Sequence, residues 1–290
     1  MSLSIIPAQL QMVMEKLSNG EPVDVAEEVI EKAVEEFEEV LRKQLGRNKE
    51  PFRIRMSNFG RPTCQLQMEK SGAERSRSPY NHILRMMIGD AVEVYLTALL
   101  RIAGANITGG KDVVSFPVGD TTIKGESDID FDGKVWDIKS SSPWAYKNKW
   151  SKGYRALAED DSFGYIGQLY GYSAGQDKEM GGWVVADKSS GEVIFVDAEP
   201  KSGELSELYM KLSDSVRKVE SDAPFERCFE DEEEFFNRKP TGNRRLGTQC
   251  SFCDYKHACW DNLQYKPQAQ SKAQNPRHYW YTEYNEAEPE

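Results

Sequence analysis

The stretch Gly125-Glu126-Ser127-Asp128-Ile129-Asp130-Phe131-Asp132-Gly133-Lys134-Val135-Trp136-Asp137-Ile138-Lys139 constrains the fold more than any other part of this chain. Two short alternating segments flank Asp132-Gly133, a dipeptide that favours a type I′ turn. Centring a hairpin on that turn sets Phe131 opposite Lys134, Asp130 opposite Val135, Ile129 opposite Trp136 and Asp128 opposite Asp137. Side chains alternate along a strand. One face therefore carries Ile129, Phe131, Trp136 and Ile138 and belongs to a core. The other carries Asp128, Asp130, Asp137 and Lys139, with Glu126 at its edge. Opposed aspartates repel across a ladder and destabilise it. A bound divalent cation removes that cost, and Lys139 beside them suits an anionic substrate. The plainer alternative is a solvated acidic strand face.

The elements around the hairpin predict an α/β chain. Residues 7–19 pattern as a short amphipathic helix. Asp24 is placed to cap a second helix over 25–44, with Val25, Val29, Ala33, Phe37 and Leu41 as its packing side. Ser57 is placed to cap a short helix bearing Cys64. Residues 79–101 form the clearest helix, with Ile83, Met86, Met87, Ala91, Val94, Tyr95, Ala98 and Leu99 as its apolar side. On it Gly89 and Glu93 lie four apart and share a face. Residues 104–122 are rich in turns and include a strand near Val113–Val118. A helix over 163–175 aligns Gln168 with Tyr172. Strands at 181–185 and 192–196 meet at Ser189-Ser190-Gly191. A helix is expected over 203–220 and a short acidic one over 231–237. Residues 1–50 form an N-terminal helical segment, 51–262 the main domain, and 263–290, with Pro267, Pro276 and Pro289, a mobile tail whose Trp280 and tyrosines are available for docking.

Charge separates the candidate partners. The chain of 290 residues carries a net charge of −11, which excludes a nonspecific nucleic-acid coat protein. Residues 21–39 hold nine acids and one lysine, and 230–234 are all acidic. Between 139 and 158, however, Lys139, Lys147, Lys149, Lys152 and Arg155 occur with no acid, interleaved with Trp144, Tyr146, Trp150 and Tyr154. Aromatic and basic residues so mixed suit single-stranded nucleic acid; equally, the rings belong to a core. No apolar run reaches membrane-spanning length. No basic segment leads into an apolar one at the N-terminus, so a cytoplasmic location is expected and a membrane is not.

Five cysteines in such a chain point to metal before disulfides. Cys250, Cys253 and Cys259 fall within ten residues, with Tyr255 and His257 between them. Two ligand sets satisfy this spacing. The three thiols with His257 would hold Zn2+. The three thiols with a distant Cys64 or Cys228 would hold a 4Fe-4S cluster. Cys228, between Phe225 and Phe229, is expected to be buried and structural.

These elements, in this order, resemble the PD-(D/E)XK nucleases, in the RecB-like branch that includes AddB-type helicase–nuclease subunits and CRISPR-associated iron–sulfur exonucleases. The resemblance spans about residues 55–260 and rests on Gly89 with Glu93, Gly125 with Asp128, Asp137-Ile138-Lys139, Gln168 with Tyr172, and Cys64 with Cys250, Cys253, Tyr255 and Cys259. It implies a restriction-endonuclease-like core, a mixed β-sheet flanked by helices, with a helical iron–sulfur clamp joining N- and C-terminal segments. It implies Cys64 as the fourth thiolate of a 4Fe-4S cluster and leaves His257 a bystander. Glu93 stands where the iron–sulfur members often have His; a carboxylate there favours Mg2+ or Mn2+.

The implied activity is a metal-dependent deoxyribonuclease, an exonuclease on single-stranded DNA or DNA ends in recombination, repair or phage DNA metabolism. Glu93, Asp128, Asp137 and the main-chain carbonyl of Ile138 would hold the cation. Lys139 would act on the water or on the phosphorane-like charge, and Gln168 and Tyr172 would position the strand or the lysine. Lys147, Lys149, Lys152, Arg155, Trp144 and Trp150 would line the DNA path. The chain has no phosphate-binding helicase loop, so unwinding would come from a partner: a helicase, recombinase or single-strand-binding protein in a bacterial or phage-infected cell. The competing expectations are a non-catalytic DNA- or partner-binding module on the same fold, and a zinc-binding segment fused to an unrelated α/β body.

Overall fold

The computed structural model describes residues 5–46, 51–77, 80–107 and 113–285. In chain order, helices α1 (Ile6–Ser18), α2 (Glu27–Leu45), α3 (Met56–Phe59), α4 (Thr63–Lys70) and α5 (Tyr80–Ile102) come first. Strands β1 (Val113–Val118), β2 (Thr121–Glu126), β3 (Ile129–Phe131) and β4 (Lys134–Ser141) follow, then α6 (Pro143–Asn148), α7 (Tyr154–Glu159) and α8 (Tyr165–Gly175). Strands β5 (Glu179–Asp187) and β6 (Val193–Asp197) precede α9 (Glu204–Glu220). The chain ends with β7 (Asp231–Phe236), β8 (Lys239–Leu246), α10 (Thr248–Ser251), α11 (Lys256–Cys259), β9 (Gln264–Pro267) and β10 (His278–Glu283). It is a mixed α/β protein. Two compact units divide it: Met1–Gly60 with Pro79–Ser213, and Arg61–Ser78 with Asp214–Glu290. The expected boundaries at 50 and 262 are not where the chain divides.

The first unit is built on the four-stranded sheet β3-β4-β5-β6. β3 and β4 are antiparallel, β4 and β5 parallel, and β5 and β6 antiparallel. The parallel pair needs a crossover, which α6, α7 and α8 supply. Ser142 starts it by accepting a hydrogen bond from the Ala145 amide, with Pro143 in the first turn. The hairpin register is the expected one, Ile129 with Trp136, Asp130 with Val135 and Phe131 with Lys134. Asp132 and Gly133 both take positive φ, as a type I′ turn requires.

The alternation seen in the sequence becomes two buried faces. Ile129, Phe131, Trp136 and Ile138 join Val184 and Ala186 and pack against Ile6 and Leu10 of α1 and Leu96 and Leu100 of α5. Phe131 stacks on Trp136 with ring centroids 4.8 Å apart. Burial of each such side chain contributes about 1.5–3 kcal/mol. On the opposite face the fully buried Trp183 meets Trp150 at 5.8 Å and Tyr154 at 6.3 Å.

Helix α2 is held to α5 by a largely buried ion pair, Arg101 Nη2 to Glu36 Oε1 at 2.7 Å. Its packed side is Val29, Ala33, Glu36 and Val40, while Val34, Phe37, Leu41 and Leu45 are exposed. The expected packing stripe holds at Val25, Val29 and Ala33 and gives way at its C-terminal half, where Glu36 and Val40 face inward in place of Phe37 and Leu41. On α5, Val94, Leu96 and Leu100 are buried, but Met86 and Tyr95 are exposed.

The second unit holds a four-stranded sheet in the order β7-β8-β10-β9. Two expectations are corrected here. Residues 231–236 form a strand, not an acidic helix: Glu234 is fully buried and accepts hydrogen bonds from Tyr281 Oη, Asn243 Nδ2 and Thr241 Oγ1. Residues 264–283 are not a tail; β9 and β10 pair antiparallel with each other, and β10 pairs with β8. Residues 286–290 lie outside the described residues, as do Pro79 and 108–112. Ser57 lies inside α3, and the helix bearing Cys64 begins after Pro62. Among the described residues no helix is long and apolar enough to cross a membrane.

Candidate active site

The acidic side of the hairpin lies in the first unit. Pairing between β3 and β4 stops at Ile129–Trp136. Beyond it, the Asp128 side chain takes over the role of a strand partner: its Oδ2 accepts a hydrogen bond from the Ile138 amide at 3.0 Å. Asp128 and Asp137 are therefore neighbours through the end of the ladder, not a cross-strand pair. Asp137 is 1% exposed. Its Oδ2 lies 2.6 Å from Lys139 Nζ, and its Oδ1 has no hydrogen-bond partner.

Helix α5 brings Glu93 to this end of β4, and Gly89 is what allows it. A methyl group at Gly89 would stand 2.9 Å from Ser140 Oγ, so any larger residue requires the Ser140 hydroxyl or the helix to shift. Gly125 plays the corresponding part for α8. A Cβ there would meet Met56 at 2.7 Å and the Tyr172 ring at 3.1 Å. Each glycine thus sits at a close approach, Gly89 against β4 and Gly125 against Met56 of α3 and Tyr172 of α8.

Electrostatics bind these groups into one cluster. Burial, then the charge of Asp128, pushes the Asp137 carboxyl up to about 8, against the pull of Lys139. Burial and Asp128 also raise Glu93 well above the usual carboxylate range. Burial opposes the charge on Lys139, but Asp137 and Asp128 outweigh it and keep the ammonium protonated. Tyr172 is held neutral by burial and by Asp128, and it shares a hydrogen bond with Gln168. The cluster thus holds three carboxylates against one ammonium. An orphaned buried oxygen and two carboxyls that resist ionisation are what a hard cation would relieve. Glu93, Asp128, Asp137 and the carbonyl of Ile138 fit such an ion by donor chemistry. Among the described residues, no group of three or more His, Cys, Asp or Glu side chains is already drawn together as a metal site.

Three features of the site were not read from the sequence. Asp130, expected on the same face as Asp128, is 1% exposed and paired with Lys178 Nζ at 2.6 Å. Lys178 lies 48 residues away, and no local signal marks it. Lys139 also lies 5.5 Å from the Tyr165 ring, and Tyr165 opens the helix that carries Gln168 and Tyr172.

The expected DNA path at 144–155 is largely absorbed by the fold. Trp150 is buried against Trp183, Lys149 Nζ pairs with Asp160 Oδ2 at 2.8 Å, and Arg155 pairs with Glu204 at 2.8 Å and with the Glu199 carbonyl. Trp144, Lys147 and Lys152 stay exposed.

The cysteines lie together in the second unit. Cys64 on α4, Cys250 on α10, Cys253, and Cys259 on α11 line one pocket with Pro62, Met68, Phe229 and Trp260. Cys228 is exposed, not buried as expected, and sits against Cys64: its Sγ accepts a hydrogen bond from the Cys64 amide at 3.1 Å. The Cys64 thiol is pushed far up by its hydrogen bond to Cys228 and by burial. Burial raises Cys250 to about 11 and also lifts Cys253 and Cys259. Four thiols around an apolar pocket suit a soft metal centre. His257 lies edge-on to Trp280 at 4.8 Å.

No family model matches this chain, and no curated protein matches it. Among solved structures, a crystal structure of SSO0001 is similar at 15% identity, over 76% of this chain and 91% of that one, with a TM-score of 0.40.

Proposed function

We propose that the chain is a metal-dependent deoxyribonuclease with a restriction-endonuclease-like core, and that Glu93, Asp128, Asp137 and Lys139 form its active site. The observation that carries this reading is the cluster of Glu93, Asp128 and the buried Asp137, whose charges act on one another around Lys139. A structural ion pair has no need of the further acid, Asp128, which together with burial pushes both Asp137 and Glu93 up.

Mg2+ or Mn2+ held there supplies Lewis acidity toward a phosphate oxygen and toward a water. Asp137 and Asp128 keep Lys139 an ammonium against the pull of burial. As an ammonium it would donate hydrogen bonds and charge to the phosphorane-like oxygens. Asp137 fixes the lysine, and Asp128 fixes the end of β4 through the Ile138 amide. Tyr172, packed beside Gly125 and hydrogen-bonded to Gln168, keeps α8 against the cluster. Hydrolysis breaks one P–O bond, adds water oxygen to phosphorus, and leaves a terminal phosphate and a hydroxyl.

The order of the motifs supports single-stranded DNA or DNA ends as substrate, and a 4Fe-4S cluster on Cys64, Cys250, Cys253 and Cys259. The engagement of His257 with Trp280 favours four thiolates over a zinc set using His257. End-labelled linear and circular DNA, incubated with Mg2+ or Mn2+, tests the reading. Cleavage of linear DNA that disappears in Asp137→Asn is the expected result. DNA binding without cleavage in either metal would assign the chain as a non-catalytic module.

A further inference from the structure

The hairpin β9–β10 presents a surface that the cleavage chemistry does not use. Trp280 stands opposite Tyr265, and His278 opposite Pro267, so these side chains share one sheet face. The Tyr265 ring lies 4.8 Å from Trp280 and 5.3 Å from His278, tilted from them by 39° and 32°. Lys256 Nζ stands 5.4 Å from the Trp280 ring. This group is not a closed core: Tyr265 is 57% exposed, and His257 and His278 are exposed as well.

Its charge is opposite to that of the chain. Residues 262–282 include Lys266, Lys272, Arg277 and His278 and no acid, in a protein of net charge −11. Lys272 and Arg277 are exposed on the loop joining the two strands, and neither forms an ion pair among the described residues. Adjacent open rings offer stacking surfaces, and loop cations at their edge offer phosphate contacts. Unpaired bases can use both at once, whereas duplex DNA keeps its base faces covered. We propose that the β9–β10 hairpin is a binding site for single-stranded nucleic acid, with Tyr265 as its stacking ring and Lys272 and Arg277 as its phosphate contacts.

The test measures binding alone, in full-length protein carrying Asp137→Asn, so its outcome stands apart from the assignment of the cleavage site. Fluorescence anisotropy follows a labelled oligothymidylate and, separately, a labelled duplex. Tyr265→Ala should weaken binding of the single strand on the order of tenfold, whereas Tyr265→Phe should keep the parent affinity. Arg277→Glu should weaken binding and make it less steeply dependent on salt, as loss of a phosphate contact requires. Tyr265 packs on Trp280, so if Tyr265→Ala lowers the melting temperature, Tyr265→Phe and Arg277→Glu decide the matter. Absence of oligothymidylate binding would overturn the proposal. So would an Arg277→Glu variant that binds like its parent, or Tyr265→Ala and Arg277→Glu variants that weaken duplex binding as much as single-strand binding.

Discussion

The carboxylate cluster and the thiol pocket solve the same electrostatic problem by different means. Each gathers donors that resist ionisation when buried. At the cluster the donors ride on a long helix and a central strand, and Lys139 offsets part of their charge from within. That site keeps its shape with protons in place of a cation. At the pocket the donors come from α4, α10, α11 and the turn holding Cys253, in helices of four to eight residues; burial raises Cys250, Cys253 and Cys259, and a hydrogen bond to Cys228 together with burial raises Cys64. Elements so short have little stability of their own. On the proposed reading, a cation at the first site would act on catalysis and a cluster at the second on folding.

The contrast is broken most severely at Asp137. Asp137→Asn should lower DNA cleavage by at least about 10²-fold, as loss of a preorganised charge does, with the circular dichroism spectrum unchanged. Cys250→Ser should act in the opposite sense. It should abolish visible cluster absorbance and lower the cooperativity of unfolding of the second unit, while Mn2+ binding at the carboxylates persists. If Cys64→Ser retains the absorbance and only Cys64→Ser with Cys228→Ser loses it, Cys228 can replace Cys64 as ligand.

A third effect lies in pH. The Asp137 carboxyl rises to about 8 in the folded chain. The folded state therefore binds more protons than the unfolded one from the ordinary carboxylate range up to that pH. Its contribution to stability falls as pH rises through this window, by up to about 1.4 kcal/mol for each pH unit. Metal-free wild type should melt lower at pH 8 than at pH 6, and Asp137→Asn should reduce that difference. The smallest effect should come from Gly89→Ala. A methyl group would press on Ser140 Oγ, so activity should fall about tenfold through displaced Glu93, as small misplacements do. Stability should change by about 1 kcal/mol or less, because alanine favours the helix. Restored activity in Gly89→Ala with Ser140→Ala would confirm that the helix-to-strand distance is the cause.

Local patterns made the centre of the first unit legible. Asp132-Gly133 and the alternation around it gave the hairpin register, and the four-residue spacing of Gly89 and Glu93 gave a face of α5. Long-range contacts hid the rest. Asp130 and Asp128 look alike until Lys178 is seen to neutralise Asp130. Aromatic and basic residues mix in both 144–155 and 264–280. The first segment is drawn into the core because Trp183 covers Trp150 and Tyr154, whereas the second leaves Tyr265 open. The acid run at 231–236 suggested a helix, but Glu234 points inward to Tyr281, Asn243 and Thr241 and fixes a strand.

The central claim is that Glu93, Asp128 and Asp137 form a site for a hard divalent cation. Calorimetric titration of Mn2+ into metal-free protein, at pH 6 and pH 8, tests it most directly. Binding that tightens with pH, releases protons, and is lost in Asp137→Asn is the expected result. Equal binding by wild type and Asp137→Asn, or no binding by wild type at pH 8, would contradict it.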